Sequence, residues 1–314
     1  MIDSHHHLWH YTDEEFGWIA DDCLRHDFTV NDLGRVIGSS GVDRTIVCEA
    51  RQTVEETDWL LELAEGMFSP PPYRRRLGDR RGNSRTPASA SRGGRDGTVL
   101  EDVISGVIGW LPIASPSFPS LLERYAANPK LVALRHVVQD EPDDAFILRD
   151  DFNSGIDRLR GTGLVYDILV FQRQLANAIR FVDRHAEDQV FVLDHIGKPR
   201  TDAFDEWKRL VRELAKRPNV FCKFSGVVTE VGTSHDRIRA CFDTVLDAFG
   251  PERLMWGSDW PVVTAHLAYG EWLRRSMEIA AELSESECAR LFGGTAAEVY
   301  LKKPNGDRPP LRAG

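Results

Sequence analysis

Two histidines near the start of the sequence, His5 and His7, have a spacing that could place both at one chemical site. Alternate residues of an extended chain share a face, so His5 and His7 should point together while His6 points away. Two imidazoles on one face at a strand end can hold a metal ion or polarise a carbonyl group. The same run, MIDSHHHLWH, is also compatible with a solvated polar cluster, so the rest of the chain has to decide.

Polar residues also follow two later apolar segments, as Asp194 and His195 in LDHIGKP and as Asp259 in WGSDWP. Ester hydrolysis needs a polarised carbonyl, an activated water and a proton acceptor. The histidines can hold a divalent metal or donate hydrogen bonds to the carbonyl. Asp259 can accept the proton of the water and return it to the leaving alkoxide. The structural alternatives are a helix-capping role for Asp194, beside a hydrogen-bonded His195, and a helix-start role for Asp259.

Eight β-rich segments, separated by longer helical patterns, would have to position these residues. Helical periodicity is clearest in TVEETDWLLELAEGM, DEWKRLVRELAKRP and DRIRACFDTVLDAFG. The β-rich segments are residues 1–4, 44–50, 103–111, 131–138, 164–170, 189–195, 219–225 and 253–259. This alternation predicts an α/β protein, either a (β/α)8 TIM barrel or an open doubly wound sheet. We favour the barrel, because no Gly-x-Gly-x-x-Gly follows a strand and polar residues cluster at the carboxyl ends of the strands.

One segment interrupts the predicted barrel domain of residues 1–301. Residues 69–97 are rich in Arg, Pro, Ser and Gly, a composition that predicts a disordered insert. The alternative is a basic arm for nucleic acid or an acidic partner, but interleaved aromatic residues for base stacking are absent. Residues 302–314 form a polar tail.

Composition excludes several classes of protein. The 314 residues carry a net charge of −10, which argues against a general nucleic-acid binder. The five cysteines are scattered and include no Cys-x-x-Cys pair, as is typical of a reducing compartment. No apolar stretch approaches the length of a membrane span, and no leader pattern opens the sequence. We therefore expect a cytoplasmic protein with a small-molecule substrate, and homodimerisation remains open.

Six other residues are predicted to bind substrate rather than to react with it. The guanidinium of Arg135 can form a planar fork to a carboxylate or to vicinal hydroxyls, although an ion pair with Asp140 or Glu141 would also explain it. The indole of Trp9 could stack on a sugar face. The remaining four are His136, Glu49, Lys223 and Tyr166. Such a pocket would favour an anionic or polyhydroxylated ligand.

The chain resembles the amidohydrolase superfamily, specifically its amidohydrolase-related branch of sugar-lactone and aromatic-lactone hydrolases. That branch includes enzymes similar to L-fuconolactonase, L-rhamnonolactonase and pyrone-dicarboxylate lactonase. The resemblance runs from residue 1 to about residue 301, leaving out the 69–97 insert. It is carried by IDSHHHLW, EARQTVEETDWLLELA, LRHVVQDEPDD, YDILVFQRQL, FVLDHIGKP, NVFCKFSGVVTE, RLMWGSDWPV and LFGGTAAEVY.

The resemblance implies a (β/α)8 barrel with His5 and His7 on the first strand, His195 on the sixth and Asp259 on the eighth, all at the reaction centre. Fully metal-dependent members of the superfamily add a modified lysine or a histidine on the fourth or fifth strand. This chain has Tyr166-Asp167 on the fifth, which argues against a binuclear site. One zinc ion held by His5, His7, His195 and Asp259, or catalysis without a metal, are both open.

The activity that the resemblance implies is opening of a sugar-derived or carboxylated lactone by water. A decarboxylase or hydratase acting on an aromatic or muconate-type acid is the alternative enzyme on the same scaffold. A non-catalytic binding barrel is the third reading, and the complete set of polar residues at the predicted strand ends argues against it.

Overall fold

The computed structural model describes residues 1–67, 71, 103–185 and 187–302. Eight parallel strands lie side by side in the order in which they occur along the chain. They are β1 Ile2–His6, β2 Arg44–Cys48, β3 Ile104–Gly109, β4 Leu131–Val137, β5 Val165–Leu169, β6 Phe191–Leu193, β7 Val220–Phe224 and β8 Leu254–Trp256. All eight predicted strands are therefore present.

The sheet closes where its first and last strands meet. His6 pairs with Trp260 in a parallel bridge, and the His7 amide donates to the Trp260 carbonyl at 2.6 Å. The Asp259 amide donates in turn to the His5 carbonyl at 2.8 Å. An open doubly wound sheet has no such contact between its outer strands, so the predicted (β/α)8 barrel is confirmed.

Helices surround the barrel. In the described residues they are α1 Val30–Ile37, α2 Val54–Ala64, α3 Phe118–Ala126, α4 Asp150–Asp157, α5 Leu175–Val182, α6 Phe204–Leu214, α7 Val227–Val231, α8 His235–Phe249, α9 Tyr269–Ile279 and α10 Glu285–Ala289. Two π-helical stretches, Arg290–Gly294 and Ala297–Leu301, follow. The start of α2 shows how sequence sets a boundary: the Thr53 side chain accepts a hydrogen bond from the Glu56 amide, as an N-cap residue does.

Apolar side chains fill two separate layers. The larger layer lies between the strands and the helices. The smaller layer fills the barrel interior with inward-facing residues such as Ile46, Ala133 and Val165, and Val299 and Tyr300 from the final helical stretch join it. Each aliphatic side chain of valine size or larger contributes about 1.5–3 kcal/mol when fully buried. The interior is apolar only in part, because polar groups occupy the layers nearer the carboxyl ends of the strands.

An irregularity in β1 sets the direction of the first histidines. Asp3 pairs with Thr45 whereas His6 pairs with Val47, so β1 contains one more residue than β2 over this stretch. A β-bulge of this kind re-aims the side chains that follow it. The His6 ring leaves the site and its Nε2 lies 2.9 Å from the Thr45 hydroxyl, so the predicted outward orientation of His6 holds.

No helix in the described parts of the chain has the length and hydropathy that crossing a bilayer requires. The predicted disordered insert at residues 69–97 lies outside the described residues except for Pro71, and so does the predicted tail beyond residue 302. Both remain predictions.

Candidate active site

His5, His7 and Asp259 form a compact group at the carboxyl end of the barrel. The Nε2 atoms of His5 and His7 are 3.2 Å apart. Asp259 Oδ1 lies 3.7 Å from His5 Nε2 and 3.6 Å from His7 Nε2. The side chain of His5 is fully buried, whereas His7 and Asp259 are slightly exposed. Three potential ligand atoms therefore face one point at the edge of the buried region.

His195 completes the group from a sharp turn after β6. Its backbone is left-handed, with φ of 51° and ψ of 38°, and Asp259 also has a positive φ of 57°. Non-glycine residues in this region are uncommon and cluster at functional sites. His195 Nδ1 lies 3.0 Å from the Ser225 hydroxyl, which leaves Nε2 for the site. Gly226 is required beside it, because a Cβ there would lie 2.5 Å from His195 Nδ1.

Hydrogen bonds and burial define the protonation of the group. His7 Nδ1 is 3.0 Å from the Cys48 carbonyl, which can only accept, so this nitrogen carries the proton and Nε2 keeps its lone pair. Burial lowers the pKa of His5 well below its usual value and lowers that of His195 to about 4. Burial alone would raise the pKa of Asp259, but His195 and the other imidazoles hold it low. At neutral pH the imidazoles of His5 and His195 are therefore neutral, and Asp259 is a carboxylate.

Beneath this group lies a set of buried charges that we call the interior ion network. Its members are Glu49, Arg135, Asp167, Asp194, Lys223 and Tyr300. The Lys223 ammonium contacts Asp167 and lies 2.9 Å from Asp194 Oδ1. The Arg135 guanidinium bonds Glu49 at 2.8 Å and Asp194 at 3.1 Å. The Tyr300 hydroxyl is 2.9 Å from both Asp167 oxygens.

The interior ion network contacts the group above it through His5. His5 Nδ1 lies 3.6 Å from Asp194 Oδ1 and 3.2 Å from Lys223 Nζ. Burial would raise the pKa of Asp194, but the Lys223 ammonium and its other neighbours hold it well below the usual value. Burial raises the pKa of Asp167 to about 6 despite the same ammonium. His5 thus rests on a carboxylate that stays ionised.

A cavity of about 370 Å³ opens above the group of histidines. Its floor includes His7, His195 and Asp259, and Arg135 reaches it from below. Its walls are mostly polar and include one large exposed aromatic residue, Trp18, whose surface is 51% exposed. The wall also includes Glu15, Arg51, Gln139, Asp140, Lys198 and Glu230. The cavity is large enough for a small organic molecule.

Of the six predicted substrate-binding residues only Arg135 lines this cavity; Glu49 and Lys223 lie buried below it, and Trp9, His136 and Tyr166 point away from the barrel interior. Trp9 is fully buried, and its Nε1 donates to the His26 carbonyl while its ring packs on Phe28. The chain leaves the barrel after His7 and pairs Trp9 with Phe28, which carries the indole into the outer layer. The structure therefore contradicts a sugar-stacking role for Trp9, since no face of its indole is open to a ligand.

His136 and Tyr166 point outward because each alternates with an inward residue on its strand. His136 stacks on Phe146 and lies 2.7 Å from Glu141, whereas its neighbour Arg135 points inward. Tyr166 is buried against aromatic rings of the outer layer, whereas Asp167 points inward. Neither lines the cavity.

Arg135, Glu49 and Lys223 point toward the barrel interior, but each is paired with opposite charges of the protein itself. The sequence suggested Asp140 or Glu141 as an ion partner of Arg135, and the structure pairs it with Glu49 and Asp194 instead. Parallel strands bring Glu49 to Arg135 across 86 residues, a contact that no local pattern reports. Sequence reasoning also missed Tyr300, Lys198, Glu230 and Trp18; only the positions of Lys198 and Glu230 just beyond strand ends could have signalled them.

The residues present fit a divalent metal ion. His5, His195 and Asp259 each offer a ligand atom within 4.8 Å of the others, and His7 Nε2 lies within 3.6 Å of Asp259 Oδ1. Bonds of about 2.0–2.1 Å in a tetrahedral zinc site separate the ligand atoms by about 3.3 Å, close to the separations here. The surrounding buried carboxylates, Glu49, Asp167, Asp194 and Asp259, face only two cations, Arg135 and Lys223. A divalent cation would balance the remaining charge.

Comparisons with known proteins agree with this geometry. A family model described as amidohydrolase matches residues 100–302. An L-fucono-1,5-lactonase from Burkholderia multivorans is 36% identical, and the alignment covers 95% of each chain. A second L-fucono-1,5-lactonase, from Burkholderia ambifaria, is 31% identical over 98% of each chain. An L-rhamnono-gamma-lactonase from Scheffersomyces stipitis is 28% identical over 41% of this chain and 45% of its own.

Solved structures extend the similarity to the fold. The crystal structure of an amidohydrolase from Burkholderia multivorans with bound zinc is 34% identical to this chain, with a TM-score of 0.79. The similarity covers 96% of this chain and 98% of that one. Because the family model matches well over half of the sequence and two relatives exceed 30% identity over nearly the full length, the chain belongs to the amidohydrolase family.

Proposed function

We propose that this protein is a hydrolase that opens a sugar-derived lactone by attack of water on the lactone carbonyl. The observation that carries the proposal is the convergence of His5, His7, His195 and Asp259, the last three of which form the floor of a cavity. The similarity to two L-fucono-1,5-lactonases over nearly the whole chain supports it. No described feature favours the decarboxylase alternative, and decarboxylase neighbours at 16% identity or less bear on the fold alone.

Asp259 is the proposed proton acceptor. Its pKa is held low by the surrounding imidazoles, so the carboxylate is ionised at neutral pH and ready to take a proton. Such a carboxylate is a weak base, and the carbonyl or the water therefore has to be activated as well. Asp259 takes the proton of the attacking water and returns it to the ring oxygen as the carbonyl–oxygen bond breaks.

The activation is proposed to come from one divalent metal ion, with zinc the first choice. His5, His7, His195 and Asp259 would hold it, and the solved relative with bound zinc supports this assignment. When bound, such an ion acts as a Lewis acid toward the carbonyl oxygen and lowers the pKa of water. His7 contributes by presenting the lone pair of Nε2, since its Nδ1 donates to the Cys48 carbonyl, and the Ser225 hydroxyl holds His195 by Nδ1 so that Nε2 faces the site.

Arg135 and Lys223 have a positioning role in this proposal. Both lie in the interior ion network and hold Asp194 as a carboxylate under His5. His5 Nδ1 faces both Asp194 Oδ1, at 3.6 Å, and the Lys223 ammonium, at 3.2 Å, so the network holds the ring with Nε2 directed at the site. We infer that the substrate contacts lie in the cavity wall above rather than on these two buried cations.

We also propose that the protein works in the cytoplasm. All five cysteines are free, and three of them, Cys48, Cys222 and Cys241, are buried away from any partner thiol. Free thiols persist in reducing compartments, which supports this location. Fractionation of the native host with an antibody to the protein would test it, and recovery with secreted proteins would contradict it.

The deciding experiment is a screen of sugar lactones by pH-indicator assay, run before and after dialysis against a chelator and again after zinc is restored. We expect opening of at least one aldonolactone, loss of activity with the chelator and recovery with zinc. Activity that survives complete metal removal would overturn the metal assignment alone. A protein that opens none of the lactones in any of the three states would overturn the proposed function.

A further inference from the structure

Lys198 and Glu230 form an ion pair on the cavity wall that the reaction itself does not use. Lys198 lies on the turn that carries His195, and its amide donates to the His195 carbonyl at 2.9 Å. Glu230 belongs to the short helix α7, which follows β7. Lys198 Nζ is 3.6 Å from Glu230 Oε1, and both side chains line the cavity.

The position of Lys198 is fixed from three sides. Its backbone has a left-handed φ of 51°, which non-glycine residues adopt only when their surroundings hold them there. Its ammonium lies over the Phe171 ring, 5.1 Å from the centroid, and Glu230 faces it from the other side. The side chains of Lys198 and Glu230 are only 14% and 19% exposed. A flexible surface pair would not be confined in this way, so Lys198 and Glu230 form a fixed part of the cavity wall.

The charges around the cavity are arranged against an anionic substrate. Apart from Asp259, whose charge the proposed metal ion would balance, three carboxylates line it, from Glu15, Asp140 and Glu230, against the three cations of Arg51, Arg135 and Lys198. Each of those cations already has a carboxylate partner within the described residues. Arg51 pairs with Glu15 and Glu56, Arg135 pairs with Glu49 and Asp194, and Lys198 pairs with Glu230.

A substrate carboxylate entering this cavity would therefore have to displace a protein carboxylate from its cation. Hydroxyl groups need no such displacement, since an ammonium can donate to one hydroxyl while a carboxylate accepts from its neighbour. Two unit charges of the same sign repel strongly when they lie within about 4 Å of each other near a protein surface. The cavity wall is thus suited to vicinal hydroxyls and opposed to added negative charge.

We propose that the Lys198–Glu230 pair determines specificity: it binds vicinal hydroxyls of an uncharged polyhydroxylated lactone, and Glu230 excludes lactones that carry a carboxylate. This inference rests on the proposed lactonase function and narrows its substrate class. The sequence predicted an anionic or polyhydroxylated ligand, and the observed ion pairs favour the polyhydroxylated one.

The test compares two lactones that differ at a single carbon. D-Glucono-1,4-lactone has a hydroxymethyl group at C6, and D-glucaro-1,4-lactone has a carboxylate there. The wild-type protein should prefer the neutral lactone by about 100-fold in kcat/KM, because a carboxylate would face unpaired repulsion. E230Q, which is isosteric and uncharged, should reduce that preference by about 10-fold or more through a lower KM for the glucarolactone, with kcat little changed.

Two further variants separate this mechanism from a general change of charge. In the K198M background, the E230Q substitution should improve use of the carboxylated lactone less than in the wild type, because the repulsion is relieved but no ammonium is left for the carboxylate to contact. D188N removes one negative charge from an exposed ion pair with Arg160, away from the cavity, and should leave the preference unchanged. An equal shift in D188N and E230Q, or a gain of undiminished size in the K198M background, would overturn the specificity proposal.

Binding measurements keep the specificity proposal separate from the proposed function. Calorimetric titration of both lactones into the chelator-treated, inactive wild type and E230Q measures charge selection without turnover. Preference for the neutral lactone in binding, lost in E230Q, supports the specificity assignment even if neither lactone is opened. Equal binding of both lactones by the wild type overturns it, even if the protein proves to be an active lactonase.

Discussion

The group of His5, His7, His195 and Asp259 and the interior ion network occupy adjacent layers of one barrel, but their polar atoms are used differently. In the network, Lys223 and Arg135 each contact two carboxylates at hydrogen-bonding distance. In the group above, Asp259 Oδ1 is 3.6–3.7 Å from the nearest imidazole nitrogens, which is too long for a hydrogen bond. The charges of the network are paired with one another, whereas the group keeps bonding capacity for a ligand.

This difference teaches how the barrel divides its work. Buried charges that are paired with one another stabilise one arrangement of their side chains. Removal of one partner leaves the remaining charge without a counter-charge in a medium of low polarity. Groups that keep unused lone pairs add less to stability but can bind an ion, a water or a substrate. Substitutions in the upper group should therefore reduce activity more than stability, and substitutions in the network should do the reverse.

The largest expected effect is that of Asp259→Asn on activity. Asparagine cannot accept the proton of the attacking water, and removal of one such catalytic group commonly costs about 3–4 kcal/mol in the barrier, or 10²–10³-fold in kcat. The melting temperature should change little, because Asp259 has no hydrogen-bonded ion partner in the described structure. Lactone hydrolysis and thermal unfolding, measured on the same preparation, provide the check. Full activity in this variant would contradict the mechanism.

Lys223→Met should have the largest effect on stability. It leaves Asp167 and Asp194 buried without their shared ammonium, and breaking such a buried ion pair costs about 3–5 kcal/mol in the free energy of unfolding. Lys208→Met is the matched control, since the ion pair of Lys208 with Asp205 is exposed and such pairs contribute about 0–1 kcal/mol. Urea unfolding of both variants gives the comparison. Equal stability of the two would show that the network does not stabilise the barrel.

Glu56→Gln tests a buried carboxyl beside the cavity wall through pH. Burial raises the pKa of Glu56 from 4.5 to about 8, and its Oε1 accepts from the Ala50 and Arg51 amides. Because the folded pKa is the higher one, the contribution of Glu56 is complete below pH 4.5 and is lost as the pH rises through 8. Stability relative to the glutamine variant should fall by up to about 1.4 kcal/mol per pH unit between these limits.

Thermal unfolding of the wild type and Glu56→Gln at pH 5, 6, 7 and 8 measures this difference directly. The glutamine keeps an oxygen acceptor for both amides and does not titrate, so every other group cancels in the comparison. A difference in melting temperature that is constant with pH would mean that Glu56 is ionised throughout and that Arg51, 3.7 Å away, compensates its burial.

Tyr300→Phe is expected to give the smallest of these effects, on stability. It removes only a hydroxyl that donates to Asp167, and a hydrogen bond to a charged group contributes about 1.5–3 kcal/mol. The effect on kcat should be slight, because Asp167 reaches His5 only through Lys223. Urea unfolding and lactone turnover, both measured at neutral pH, would test whether the substitution lowers stability more than kcat. A kcat loss larger than that of Asp259→Asn would break the proposed division between the two layers.

Sequence predicted the parts of the site that depend on the position along a strand. His195 and Asp259 follow recognisable strands, and the two-residue period separates His6 from His5 and His7. The two-residue period alone does not say which of two adjacent residues faces inward. The sequence therefore predicted that His136 and Tyr166 face the cavity, whereas both lie in the outer layer. The bulge in β1 likewise has no signature in MIDSHHH.

The parts of the site that the sequence did not predict depend on contacts between distant segments. The partner of Arg135 depends on which residue of β2 lies beside it, and Trp9 is turned away by its pairing with Phe28. Tyr300 reaches Asp167 across 133 residues because the final helical stretch enters the amino-terminal end of the barrel. Pairings of this kind are set by the closed sheet as a whole, and no window of sequence contains both partners.

The contact between the first and last strands has a consequence for how the molecule is made. His5 is synthesised some 250 residues before Asp259, whose amide donates to the His5 carbonyl. A nascent chain with seven strands therefore has imidazoles without their carboxylate and Asp167 without the Tyr300 hydroxyl. Pairing over such separations is slow, and unfinished barrels expose strand edges that invite aggregation. Chaperones that shield the chain until release from the ribosome would thus determine the yield of active protein.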